Sequence, residues 1–167
     1  GTLIRNGASV VIPERIISFR TKIEQKKWTN ENGWKTFSSG SFTEPPELVL
    51  VFGGNAPLKD TALFEEIRSW YPESHIISAS TAGEIIQTEV SDDTLVLTAM
   101  KFEKTTVLFA EASIARAEES EAVGKTLAHA LPKEGLVHVM IFSDGLFVNG
   151  TTLVKGLLSE LPKDVSV

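Results

Sequence analysis

Three strand-like runs rich in apolar residues, each closed by a turn of small polar residues, set the main constraint on how this chain can fold. They are Leu48–Phe52, His75–Ala79 and Leu136–Phe142. Runs of this kind read as strands buried on both faces. The turns that close them are Gly53-Gly54-Asn55, Ser80-Thr81-Ala82-Gly83-Glu84 and Ser143-Asp144-Gly145. Helical spacing fills much of the chain between them. Asp60 reads as the N-cap of a helix with Leu63, Ile67 and Trp70 on one face, stopped by Pro72. A second helix opens in an acidic turn of Glu118, Glu119 and Glu121, which suits the positive end of the helix dipole. Its inner face is Val123, Leu127 and Ala130. Asn149 caps a third helix that carries Leu153, Val154, Leu157, Leu158 and Leu161, and Pro162 ends it.

Two β-rich runs, Thr94–Met100 and Thr106–Ala112, are separated by a polar segment too short for a helix, which predicts a hairpin. Val165 to Val167 reads as the start of one more strand. This order predicts an α/β layered domain with a mixed, mostly parallel sheet, helices on its faces and one β-hairpin. Residues 1–20 hold two short apolar runs, Ala8–Ile12 and Ile16–Phe19, split by Pro13. They fit edge strands, a linker or residues ahead of the domain. From Lys22 to Ser41 the chain is polar, with a turn at Asn30–Gly33 and with Trp28, Trp34 and Phe37 expected to cap the core.

Composition narrows the function classes. The 167 residues are 42% hydrophobic and 23% charged, in keeping with one soluble domain that folds without staples. Cysteine is absent, so disulfides, thiolate metal sites and thiol nucleophiles are excluded. A net charge of −6 argues against general nucleic-acid binding. No apolar run approaches the roughly 20 residues that span a bilayer. The N-terminus lacks a signal-peptide pattern, and a cytoplasmic location is expected.

In open α/β sheets, ligands sit beyond the carboxyl ends of the strands. Were the three strands parallel, their turns would share one rim of hydroxyls, amides and two carboxylates with little bulk. That inventory suits a small polar ligand. Taken singly, each turn is explained as well by tight packing, since glycine after a strand serves any close turn. Taken together they favour a site built from Gly53, Gly54, Asn55, Ser80, Thr81, Ala82, Gly83, Glu84, Ser143, Asp144, Gly145 and Asn149.

Residues 77–85 (Ile-Ser-Ala-Ser-Thr-Ala-Gly-Glu-Ile), followed about ten residues later by Leu-Val-Leu, resemble the signature of the N-terminal part of the FIST domain. Residues 142–150 (Phe-Ser-Asp-Gly-Leu-Phe-Val-Asn-Gly), leading into Leu153–Leu157, resemble a second element of that family, and Trp34 after a glycine suits its N-terminal region. The resemblance covers roughly residues 22–167 and leaves 1–21 unmatched. It implies an intracellular sensory module that binds a small ligand such as an amino acid, coupled to signalling proteins such as histidine kinases or cyclic-dinucleotide enzymes. Haem is a further ligand the resemblance allows. The family continues into a glycine-rich element and a C-terminal FIST part, and this chain stops at Val167 before either, so it is expected to be a fragment.

Other chemistries are weaker. Ser78, Ser80, Thr81 and Ser143 are candidate nucleophiles with Asp144 or Glu84 as partners, but the Gly-x-Ser-x-Gly elbow of a hydrolase is absent. Ser143, Asp144 and Glu84 could offer oxygens to a hard cation, yet no calcium-loop pattern is present. A phosphate at the Asn149 helix start would be repelled by Asp144. For haem, His129 is explained by its place in the last turn of a helix, His75 precedes a strand, and His138 alternates with Val137 and Val139 among apolar neighbours. A domain that only binds a partner protein is the remaining alternative.

Overall fold

The computed structural model describes residues 21–167 together with the strand backbones at 2–3 and 7–12. Pro13 and the run Ile16–Phe19 lie outside the described residues. In chain order the strands are β1 (Thr2–Leu3), β2 (Gly7–Ile12), β3 (Thr21–Thr29), β4 (Gly33–Ser38), β5 (Leu48–Gly53) and β6 (His75–Ser80). Five more follow: β7 (Glu84–Ile86), β8 (Glu89–Ser91), β9 (Leu95–Phe102), β10 (Leu108–Ser113) and β11 (Met140–Ser143). The helices are α1 (Asn55–Leu58), α2 (Thr61–Trp70), α3 (Ser120–His129) and α4 (Gly150–Glu160). Contacts divide the chain into two units, Gly1–Leu3 with Arg20–Glu103, and Ile4–Phe19 with Lys104–Val167.

The first unit is a six-stranded sheet in the order β1-β6-β5-β9-β3-β4. The apolar run of β5 lies between β6 and β9, where a strand needs apolar side chains on both faces. Val49 and Val51 point to α2, whose Leu63 and Ile67 close a core with Ile76, Leu95, Leu97, Ala99 and Tyr71. Asp60 caps α2 as expected, its Oδ1 accepting from Ala62 N at 2.8 Å and Leu63 N at 3.4 Å. Trp28 and Trp34 pack against this core, as their capping role predicts.

The α/β class and the mixed sheet hold, but two expectations about the strands are corrected. Only β1–β6 and β6–β5 run parallel, while β5–β9, β9–β3 and β3–β4 are antiparallel, so the sheet is not mostly parallel. The polar stretch after Lys22 supplies the extra antiparallel strands. The Asn30–Gly33 turn joins β3 to β4, and Gly33 takes the left-handed φ of 63° there. The predicted hairpin between Thr94–Met100 and Thr106–Ala112 does not form. β9 pairs with β5 and β3, while β10 belongs to another sheet. Lys101–Thr105 has none of the Gly or Asn that a tight hairpin turn requires, and each strand finds a distant partner instead.

The second unit holds a three-stranded antiparallel sheet, β10-β2-β11, with α3 and α4. The run at Ala8–Ile12 is therefore a central strand: Val10 is registered with Ala110 on one side and Ile141 on the other. Leu127, Ala128, Leu153, Leu157 and Leu161 join Ala110, Leu136 and Val139 in its core. Ala130 and Leu158, expected inside, are exposed. The inner faces instead carry Gly124 and Gly156, where the helix backbones touch. A Cβ on Gly124 would meet the Leu153 carbonyl, and one on Gly156 the Glu121 carbonyl. His138 bridges to Ser166, so the last residues do begin a strand-like pairing.

Candidate functional site

Two of the three small-residue turns meet, and the register explains why. Gly53, the last residue of β5, pairs with Ser80, the last residue of β6, and Thr81 N donates to Gly53 O at 3.0 Å. Gly54 N donates to Thr94 O at 3.1 Å, which brings the start of β9 to the same end of the sheet. Packing requires the two glycines. A Cβ on Gly53 would sit 2.5 Å from Thr94 O, and one on Gly54 2.9 Å from Asp93 Cα. Gly83 is different, because its Cβ position has only ordinary contacts, 3.4 Å to Asp92 Oδ1 and 3.8 Å to Val90 Cγ1.

Glu84 is buried and holds this rim together. Its Oε1 accepts from Thr81 Oγ1 at 2.7 Å, and its Oε2 accepts from Thr94 N at 3.1 Å and Thr94 Oγ1 at 2.9 Å. Three donors compensate a buried carboxylate for its lost hydration. Glu84 also starts the two-stranded ribbon β7–β8, which packs its Ile86 inward. Lys27 of β3, itself buried, donates to Ser91 Oγ at 2.6 Å and to Glu89 Oε2 at 3.4 Å, fixing the return strand of that ribbon. What the rim leaves open to solvent is Asn55, Ser80 and Ala82, with Thr81 and Gly83 half-buried.

Ser143, Asp144, Gly145 and Asn149 belong to the second unit and to a different sheet, so parallel strands of one sheet do not carry them to this rim. The side chains of Asp144 and Asn149 serve nearby backbone. Asp144 Oδ1 accepts from Leu146 N at 2.7 Å and Phe147 N at 3.1 Å. Asn149 caps α4 by accepting from Thr152 N at 3.1 Å, and its own N–H donates to Ser120 Oγ at 2.9 Å.

Sequence reasoning missed Thr94, Asp92 and Lys27. Thr94 directly precedes the Leu95–Leu97 apolar run, but it reaches the rim only because β9 runs antiparallel to β5. Nothing in a nine-residue polar strand marks Lys27 as the residue that turns inward.

The FIST N domain family model matches residues 47–167. The chain belongs to this family. FIST domains are sensory modules of signal transduction. No curated protein and no solved structure matches the chain. In this FIST N domain the match spans both resembling segments, at residues 77–85 and 142–150.

Among the described residues no group of three or more His, Asp or Glu could hold a metal ion. Two histidines have polar partners: His129 pairs with Glu160 at 3.0 Å on an exposed surface, and His138 Nδ1 lies 2.6 Å from Ser166 Oγ. That Ser166–His138 contact resembles a nucleophile and base, but it is exposed and no hydrogen-bonded carboxylate stands behind the imidazole among the described residues. No described helix is long and apolar enough to cross a membrane.

Proposed function

We propose that this FIST N domain is a cytoplasmic sensor that takes a small polar molecule of amino-acid type on the rim formed by Gly53-Gly54-Asn55 and residues 80–84. The observation that carries the reading is the register of Gly53 with Ser80. It sets the two turns side by side at the carboxyl ends of adjacent parallel strands, the place where open sheets receive ligands. The exposed Ser80 hydroxyl, the Asn55 amide and the half-buried Thr81 are the groups available to a ligand. Glu84 shapes the rim from below, because its oxygens are already engaged. Occupancy would then be passed to a signalling partner of the histidine-kinase or cyclic-dinucleotide type. Residues 22–167 form the sensory part in this reading.

A thermal-shift screen of amino acids and related metabolites tests the proposal. A ligand present at about 100 times its dissociation constant adds roughly 2.7 kcal/mol of stability. The expected result is a shift that Ser80→Ala reduces without altering the unliganded melting temperature, because Ser80 is exposed. A ligand whose shift survives Ser80→Ala and Asn55→Ala unchanged binds elsewhere and overturns the assignment.

A further inference from the structure

The β7–β8 ribbon presents an apolar face to solvent directly beside the rim. Ile85 and Val90 are cross-strand partners, 68% and 71% exposed, while Glu84 and Ile86 on the opposite face are buried. Isolated exposed apolar residues are ordinary. A directly paired couple of β-branched side chains on a ribbon tied down by Glu84 and Lys27 is a small rigid platform. The segment that forms it carries charge of one sign. Residues 80–94 contain Glu84, Glu89, Asp92 and Asp93 and no Lys, Arg or His. Glu84 is internally compensated and Glu89 faces Lys27, which leaves the exposed Asp92 and Asp93 as the segment's remaining charges, Asp92 Oδ1 towards Gly83 and Asp93 Oδ1 towards Gly54. Asp92 Oδ1 and Val90 Cγ1 both border the Cβ position of Gly83.

We propose that this ribbon is a docking surface for a peptide segment of a partner protein in which apolar side chains are flanked by Lys or Arg. Charge selects that occupant. Anionic lipid and nucleic acid are repelled by Asp92 and Asp93. A second copy of this acidic chain would set the same carboxylates against each other across a two-fold axis. A cationic segment places its apolar residues on Ile85 and Val90 and its charges beside Asp92 and Asp93, where complementarity favours encounter and fixes orientation. The surface does not depend on the rim taking a small ligand.

Fluorescence anisotropy with the full chain, run without any small ligand, tests this separately from the thermal-shift screen. Two labelled peptides share one Leu/Val pattern and differ only in carrying Lys or Glu at the intervening positions. The Lys peptide binds and the Glu peptide does not. Val90→Ser and, independently, Ile85→Ser weaken the Lys peptide by about tenfold. The double change Asp92→Asn with Asp93→Asn weakens it less and flattens its dependence on salt between about 0.05 and 0.5 M. Melting curves of all variants match the parent, since every altered side chain is exposed. Equal binding of the two peptides, no binding of the Lys peptide, or unchanged affinity in both apolar variants overturns the proposal. So does sedimentation showing a dimer of the parent that Val90→Ser dissolves.

Discussion

Tyr71 is the chain's single tyrosine, and its surroundings make it a reporter of folding. It is buried beside α2, its hydroxyl donates to Glu24 Oε1 at 2.5 Å, and its ring meets Trp70 edge-on at 6.4 Å. Burial and then the hydrogen bond to Glu24 push the phenol well above its ordinary value of 10.0. Burial pushes the Glu24 carboxyl upward, but the bonds from Tyr71 and Lys26 outweigh it and hold it below its ordinary 4.5. The native state therefore grips the Tyr71 proton more tightly than the unfolded chain does. That stability is intact below pH about 10 and drains away above it. Glu24 contributes in the opposite sense, its stability intact above pH about 4.5 and lost as the pH falls further. In an alkaline titration the phenolate absorbance should appear together with loss of the far-ultraviolet signal, and Tyr71→Phe should lessen the alkaline loss of stability. A phenolate band that rises near pH 10 while the chain stays folded would contradict this linkage. At the same scale, the caps at Asp60 and Asn149 were legible from residue type alone, because a cap is a local act. Glu84 was placed at the right turn, but sequence does not tell whether a carboxylate's lone pairs face solvent or Thr81 and Thr94.

Helices were read well as elements and less well as packing faces. The spacing of Leu153, Leu157 and Leu161 marked the buried side of α4, but the contact with α3 is made by glycine. Gly124 and Gly156 bring the two backbones together, and a Cβ at Gly124 would also lie 2.9 Å from Leu157 N. In a sequence they register only as weak helix formers. Gly156→Ala gains about 1 kcal/mol of helix propensity. It also drives a methyl into the Glu121 carbonyl, which belongs to a helix and cannot rotate aside. The clash should win, with a net loss of about 1–3 kcal/mol, read as a lower denaturant midpoint. Gly145→Ala, whose Cβ meets nothing within 4 Å, is the control that should leave the midpoint nearly unchanged. Strands were harder to read. β3 carries Lys22, Glu24, Lys26 and Lys27 within nine residues, so its pattern resembled a solvated loop. The β9 and β10 runs were found, but propensity names a strand without naming its partner.

At the scale of the whole molecule, partner choice is decided by contacts that no local window contains. The sheet of the second unit joins residues 7–12, 108–113 and 140–143, segments separated by about a hundred residues and then by about thirty. β2 is the central member, paired by both edges, and β10 and β11 are held in one sheet only through it. Closing so long a loop is entropically unfavourable but grows only slowly with length. The pairing is therefore accessible to the chain and invisible to a reading that takes Ala8–Ile12 as a short isolated run. Loss of β2 leaves the facing backbone groups of β10 and β11 without their ladder partners. Val10→Pro removes a central donor and forbids the ladder geometry at that point. Hydrogen exchange followed by mass spectrometry should show protection falling across β10, β11, α3 and α4 in Val10→Pro. The amides of β5 and β9, which belong to a separate core around Val49, Val51 and Leu97, should stay protected. Retained protection in β10 and β11 would mean that the second sheet is organised without its central strand.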